Sequence, residues 1–352
     1  MSLPYAGGVG RRARKERIGL PRTPTGGLLA RISTSTQPLL RVTRSLPQYA
    51  VISPVRDEER FLATTASSVI AQTHRPHQWV IVDDGSTDAT RSIAESYAAE
   101  YDWITVIASG ARHERARGAP IVEAFNAGRA ALRGPTELTV KLDGDLFLPA
   151  HYFEWIAASF ARDPRAGIVG GSILTLVEGR WERDAVSRHN VIGAAKAYRT
   201  DCLEEIGGLR PSMGWDGIDE YAARARGWRV HVLSELPILH YKHRGSKQPW
   251  YRARWEEGRG AHYMSYHPAF LAIRAAYRML VERPSILGGL VLGAGFTYGH
   301  LTRALQIDDV GARDLLRQEQ RARMRGLLHG ARHAPEQALA GGGPALWITG
   351  GR

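Results

Sequence analysis

The chain has 352 residues, 43% hydrophobic and 23% charged, a composition that supports a full core and excludes disordered, collagenous and disulfide-stapled classes. Its single cysteine, Cys202, excludes an internal disulfide framework and a self-sufficient zinc site, and it fits a reducing, cytoplasmic compartment. The net charge of +12 sits at the ends: residues 1–48 hold nine basic side chains and one acid, residues 303–352 hold eight and five, and the body between holds 30 and 29. A near-neutral body argues against nucleic acid as a partner, whereas basic ends suit anionic surfaces such as the inner face of a cell membrane.

Residues 1–48 are rich in Gly, Pro, Ser and Thr and read as a disordered basic extension without a signal-length apolar run. Order is expected from Tyr49. The run Tyr49–Ser53 predicts a strand that stops at Pro54, and Phe61–Gln72 a helix with Leu62, Ala66, Val69 and Ile70 at helical spacing. Trp79–Val82 predicts a strand ending on Asp83 and Asp84. Ala89–Tyr101 reads as a helix capped by Thr87 or Asp88, Ile104–Ile107 as a strand, Ile121–Leu132 as a helix and Leu138–Leu142 as a strand. Strands alternating with helices imply a parallel sheet buried on both faces, whose ligands sit at the carboxyl ends of the strands. Both acidic clusters, Asp83-Asp84 and Asp143-Gly144-Asp145, fall at such ends. Two carboxylates flanking a glycine can converge on a hard divalent cation, Mg²⁺ or Mn²⁺, which leaves coordination positions for substrate phosphates. The competing reading is a solvated turn.

Several stretches carry a family resemblance. Ser53-Pro-Val-Arg-Asp-Glu-Glu59, Ser67-Ser-Val-Ile-Ala-Gln-Thr73, Val80-Ile-Val-Asp-Asp-Gly-Ser-Thr-Asp88 and Leu142-Asp-Gly-Asp145 resemble the opening half and DxD element of family 2 glycosyltransferases. Gly193–Arg199, Leu203–Leu209 and Gly214–Glu220 resemble the acceptor-side half. The resemblance covers about Tyr49 to His243 and implies a GT-A fold, an α/β Rossmann-like domain with a mixed central sheet. It also implies inverting transfer of a sugar from a UDP, GDP or dTDP donor to a hydroxyl of a sugar or lipid-linked acceptor, as in cell-surface polysaccharide or glycolipid assembly. Sugar-1-phosphate nucleotidyltransfer is an alternative, but no Gly-rich, Arg-containing loop follows Tyr49; a catalytically silent binding subunit is another.

Carried over by residue, the resemblance implies that Pro54, Arg56, Asp57, Asp83 and Asp84 form the nucleotide pocket. Asp143 and Asp145 would engage the diphosphate through Mn²⁺ or Mg²⁺, with Asp145 the direct ligand. Many relatives have Tyr-Asn where this chain has Arg56-Asp57, which leaves the base recognised open. For the general base, Asp216 is favoured over Asp219, which reads as the cap of a helix from Glu220 to Arg226. His240, following an apolar strand, is a candidate to complete the metal shell, while Lys141 could face phosphate but reads more simply as solvated or salt-bridged. The implied organisation is an extension at 1–48, a catalytic domain at 49–245 with a nucleotide half (49–148) and an acceptor half (149–245), a helical region at 246–330 and a disordered tail at 331–352.

In the helical region Trp250, Tyr251, Trp255, Tyr263 and Tyr266 read as sugar-stacking, core or membrane-interface rings. Beyond His262, Phe270, Ile273, Ala276, Tyr277 and Leu280 form one side of a helix with Arg274 and Arg278 interleaved. Residues 284–302 contain no Asp, Glu, Lys or Arg, and their glycines favour a buried or interfacial hairpin over a membrane span.

Overall fold

A computed structural model describes residues 45–110, 119–177, 180–183, 190–212, 214–241, 249–281 and 286–328. The expected tail at 331–352, nearly all of the 1–48 extension and the boundary at 245/246 lie outside these residues. The amino-terminal half runs β1 (Tyr49–Val55), α1 (Leu62–Ile70), β2 (Gln78–Asp83), α2 (Thr90–Glu100), β3 (Ile104–Ala108), α3 (Ala119–Ala130) and β4 (Leu138–Leu142). Then follow β5 (Leu146–Phe147), α4 (Tyr152–Arg162), β6 (Ala166–Val177), β7 (Arg180–Arg183), β8 (Ala195–Arg199), α5 (Thr200–Glu205), α6 (Trp215–Ala225) and β9 (Arg229–His240). Four helices close the described chain: α7 (Trp250–Tyr263), α8 (Pro268–Val281), α9 (Leu287–Leu301) and α10 (Val310–Leu328).

The sheet order is β3-β2-β1-β4-β8-β6-β9-β5, with β7 beside β6. Strands β3, β2, β1 and β4 are parallel, β8 is antiparallel to both β4 and β6, and β6 is parallel to β9. This is the mixed α/β sheet that the resemblance implies, followed by the helical region read from the sequence pattern. Parallel strands covered on both faces need apolar side chains in both directions. In β2, Trp79 and Ile81 enter one buried cluster and Val80 and Val82 the other.

The early elements agree with the sequence pattern to within a few residues. Strand β1 continues through Pro54 to Val55, however, because Pro54 and Val55 keep register with Val82 and Asp83. Asp88 serves the start of α2 from just outside it, accepting the Thr90 N–H at 2.9 Å.

The larger corrections lie further along. Helix α6 begins at Trp215, not Glu220, behind Gly214 at φ 79°, a left-handed conformation natural to glycine. Asp219 therefore sits within the helix and is not its cap. In α8, Arg274 and Arg278 are buried with Phe270, whereas Ile273, Ala276 and Leu280 are exposed, so the apolar residues read as one side are split between core and surface.

Helix α9 has 15 residues, about 22 Å of length against about 30 Å of bilayer hydrocarbon. Among the described residues, no helix is long and apolar enough to cross a membrane. Its glycines allow backbone-to-backbone packing. A Cβ on Gly295 would lie 2.3 Å from the Trp255 carbonyl oxygen, and one on Gly258 would lie 2.2 Å from that of Leu292. Gly295→Ala must push two helix backbones apart and is expected to cost about 1–3 kcal/mol. Gly293→Ala, which meets open space, should instead gain up to about 1 kcal/mol of helix propensity. Chemical denaturation of the two variants checks the contrast.

Candidate active site

The carboxyl ends of β2, β1 and β4 lie side by side, and the loops leaving them are tied together by short polar side chains. Asp57 adopts φ 53°. Its N–H donates to Ser86 Oγ at 3.1 Å, and its Oδ1 accepts the Thr87 N–H at 2.9 Å and the Thr87 hydroxyl at 3.2 Å. The Glu58 N–H donates to Thr90 Oγ1 at 2.6 Å. Asp83 is buried, accepts the Ser86 N–H at 3.1 Å and faces Arg91 at 4.0 Å. Asp57 and Asp83 thus shape the rim through their loops. Asp84 accepts the Ser109 hydroxyl at 2.7 Å and has Arg56, more than a third exposed, at 3.8 Å. Pro54 is buried within β1 opposite Val82. The expected nucleotide residues are thereby brought to one strand edge, with Arg56 and Asp84 at its mouth.

Beside them, β4 delivers the Asp143-Gly144-Asp145 turn. A side chain at Gly144 would collide with Val55 at 2.9 Å and crowd Glu58 at 3.3 Å, so glycine lets the turn close onto β1. The Thr65 hydroxyl lies 2.8 Å from the carbonyls of Gly144 and Leu146 and accepts the Leu146 N–H at 3.0 Å. The Asp143 N–H donates to the Ala194 carbonyl at 2.8 Å. Its carboxylate pairs with the buried Lys141, whose ammonium also donates to the Gly193 carbonyl at 2.6 Å and lies 5.4 Å from the Trp215 ring. Burial pushes the Asp143 pKa above the usual carboxylate range. Lys141 opposes the shift and Asp145 adds to it.

Asp145 is joined to His240 by the pairing of β5 with β9, in which Leu146 opposes His240. The His240 Nε2 stands 3.3 Å from Asp145 Oδ2. Adjacent ligands of an octahedral Mg²⁺ or Mn²⁺ stand about 3 Å apart, so this pair fits two neighbouring positions on such an ion, the rest falling to solvent or phosphate oxygens. Among the described residues no group of three His, Cys, Asp or Glu side chains converges as a metal cluster. Tyr241, next in the chain, stacks on Phe61 at 5.4 Å and meets Trp181 edge-on at 5.6 Å. This aromatic wall comes from three distant segments, and no sequence spacing announces it.

Across the sheet, Lys196 of β8 is the cross-strand partner of Lys141, so both ammonium groups and α6 share one face. Lys196 is buried, 2.9 Å from Asp219 and 3.1 Å from Glu220, and donates to the Asp216 carbonyl at 2.6 Å. Asp219 also accepts the Tyr198 hydroxyl at 2.5 Å and the Glu220 N–H at 2.7 Å. Glu220 accepts the Val191 N–H at 2.8 Å. Burial raises the pKa of both acids, that of Glu220 to about 8. Asp216, in the first turn of α6, is only half-buried, and its carboxylate makes no hydrogen bond to another described residue. Its Cβ lies 3.0 Å from where a Gly193 side chain would begin, beside the carbonyl that holds Lys141.

The sequence motifs contain Lys196, Tyr198 and Glu220, but their joint role depends on β8 facing α6. Lys196→Met leaves two buried acids without a counter-charge and is expected to cost about 3–5 kcal/mol, read from the unfolding midpoint. A carboxyl pKa raised from 4.5 to about 8 favours the protonated folded state. The stability tied to Glu220 is therefore full below pH 4.5 and lost as pH rises through about 8. Glu220→Gln should flatten that decline, which runs from pH 4.5 to about 8, in a pH series of thermal melts.

Together, the acidic strand ends, the paired imidazole and carboxylate, and a half-exposed acid gather on one face of the α/β sheet. Residues 50–207 match the model of glycosyl transferase family 2. The O-antigen biosynthesis protein RfbC of Myxococcus xanthus is 26% identical over 200 residues, 53% of this chain and 15% of its own length. The putative glycosyltransferase EpsE of Bacillus subtilis is 38% identical over 55 residues, 16% of this chain and 20% of its own. This chain thus spans a fifth or less of either relative. The mannosyltransferase PcManGT of Pyrobaculum calidifontis, solved with GDP-Man and Mn²⁺, aligns over 92% of this chain and 91% of its own with 18% identity and a TM-score of 0.48.

Proposed function

We propose that this chain is an inverting glycosyltransferase that moves a sugar from a nucleoside-diphosphate donor to an acceptor hydroxyl, in cell-surface polysaccharide or glycolipid assembly. The observation that carries the reading is the position of Asp216: half-exposed, uncommitted to the fold, and separated only by Gly193 from the Lys141–Asp143 pair. The family-model match and the names of the two sequence relatives support the reaction class.

In this reading the donor nucleotide lies across the ends of β2 and β1, with Arg56 and Asp84 at its mouth. The diphosphate lies over the Asp143-Gly144-Asp145 turn, and Asp145 with His240 would hold Mn²⁺ or Mg²⁺. When bound, the ion would neutralise charge gathering on the departing diphosphate. Lys141 keeps Asp143 oriented. Asp216 takes the proton of the acceptor hydroxyl, which attacks the anomeric carbon through an oxocarbenium-like transition state from the side opposite the diphosphate. One base on that side gives inversion. Asp219 is the weaker candidate because its two oxygens already serve Lys196, Tyr198 and the Glu220 N–H.

Thermal shift with UDP-, GDP- and dTDP-sugars, with and without Mn²⁺, tests the donor site, since a ligand of the folded state raises the melting point. One nucleotide should give an Mn²⁺-dependent shift that Asp145→Ala abolishes. Asp216→Asn should keep the shift and lose about 10²–10⁴-fold in turnover, whereas Asp219→Asn should lower the melting point itself. No shift with any donor, in a folded sample, would favour a silent binding subunit.

A further inference from the structure

Helices α8 and α9 are inside-out. A helix on a water-exposed surface turns its charges outward and its apolar stripe inward. In α8 the charges go in: Arg274 and Arg278 are 5% and 3% exposed, and their guanidinium groups meet Glu257 of α7 at 2.5 and 2.8 Å. The outward positions are Ala269, Ala272, Ile273, Ala276 and Leu280, with Leu280 84% exposed. Helix α9 repeats the inversion with size in place of charge. It buries Gly288, Gly289, Gly295 and Gly299 with Leu292 and Phe296, and exposes Leu287 (54%), Leu290 (52%) and Leu301 (79%). The two helices touch, since a Cβ on Gly289 would lie 2.4 Å from the Ala275 carbonyl oxygen. Small residues at the helix–helix contact and large aliphatic ones outside is the arrangement adopted where the surroundings are lipid.

We infer that the outward face of the α8–α9 hairpin rests on an anionic bilayer, its leucines among the acyl chains and its axes along the surface. Length decides against crossing, because α9 covers about 22 Å and the connection between the helices carries Glu282 and Arg283. Flanking chemistry decides for lipid over another protein. The outward positions of both helices carry no Asp, Glu, Lys or Arg that would fix the register of a protein partner. Trp255 lies against Gly295 and His262 against Gly299, so α7 and α9 run the same way. The exposed Trp250, Tyr251 and Arg252 therefore lie toward the end where α9 begins. Aromatic rings beside a cation are the side chains that settle at the headgroup level. The exposed Arg252 beside these rings matches a negative surface.

Flotation of the full chain with vesicles tests this, using phosphatidylcholine alone and phosphatidylcholine with 30% phosphatidylglycerol (an amount of about the order found in anionic leaflets). The wild type should float with the anionic vesicles. The triple variant Leu280→Glu/Leu287→Glu/Leu290→Glu should lose roughly tenfold or more of that partition, with circular dichroism and melting point unchanged because all three side chains already face water. If the triple variant misfolds, the milder Leu287→Ser/Leu290→Ser should still lose several-fold. Equal flotation of wild type and variants, or no flotation of the wild type, would overturn the assignment. So would a wild-type dimer in lipid-free light scattering that the substitutions convert to monomer, which would assign the face to a second copy. The assay reads lipid binding and not sugar transfer, so either proposal can fail without the other.

Discussion

Two ammonium groups buried opposite each other across a strand pair organise this molecule. Lys141 and Lys196 are direct partners between β4 and β8, and both are almost fully withdrawn from water. Like charges in that relationship repel, and each buried charge loses its hydration, so neither is tolerable without its own acid. Lys141 takes Asp143, the Gly193 carbonyl and the face of Trp215; Lys196 takes Asp219, Glu220 and the Asp216 carbonyl. Satisfying these charges draws the turn after β4, the loop before β8 and the first turns of α6 to one place. The geometry of the candidate site follows from electrostatic necessity in the sheet beneath it.

The division of labour among the acids follows the same logic. Carboxylates deep in the fold, Asp219 and Glu220, are consumed by Lys196 and its neighbours and carry raised pKa values from burial. Asp57 and Asp83 spend their oxygens on backbone N–H groups of adjoining loops and set the shape of the rim. The acids with fewer obligations are Asp84, Asp145 and Asp216. Asp145 owes its companion His240 to the short β5–β9 ladder, which joins residues almost a hundred positions apart.

The carboxy-terminal helices obey a different constraint. Glu257 gathers Arg254, Arg274 and Arg278 around one carboxylate, which is workable only because these groups neutralise and hydrogen-bond one another away from water. With the arginines turned inward, the other side of α8 has only alanine, isoleucine and leucine to present. The glycines of α9 let it approach α7 and α8 at backbone distance and leave Leu287, Leu290 and Leu301 outward. Buried charge and exposed hydrocarbon are two sides of one packing choice.

Local rules carried the sequence reading far. Apolar runs ending in acids placed β2 and β4 and their carboxyl-end clusters, because a strand buried on both faces must be apolar in nearly every position. The motif order pointed to the same family whose model matches residues 50–207. Single-helix spacing could not place α6, since its start depends on Gly214 taking a left-handed turn while Trp215 packs beneath Lys141. Nor could it orient α8, where Arg274 and Arg278 turn inward because Glu257, contributed by another helix, neutralises them. The sequence by itself determined the elements, their alternation and which acids stand at strand ends, because these depend on neighbours along the chain. Tertiary structure decided which acids are consumed, which keep fewer obligations and which face of each helix points outward, because burial and counter-charge come from residues far apart in sequence.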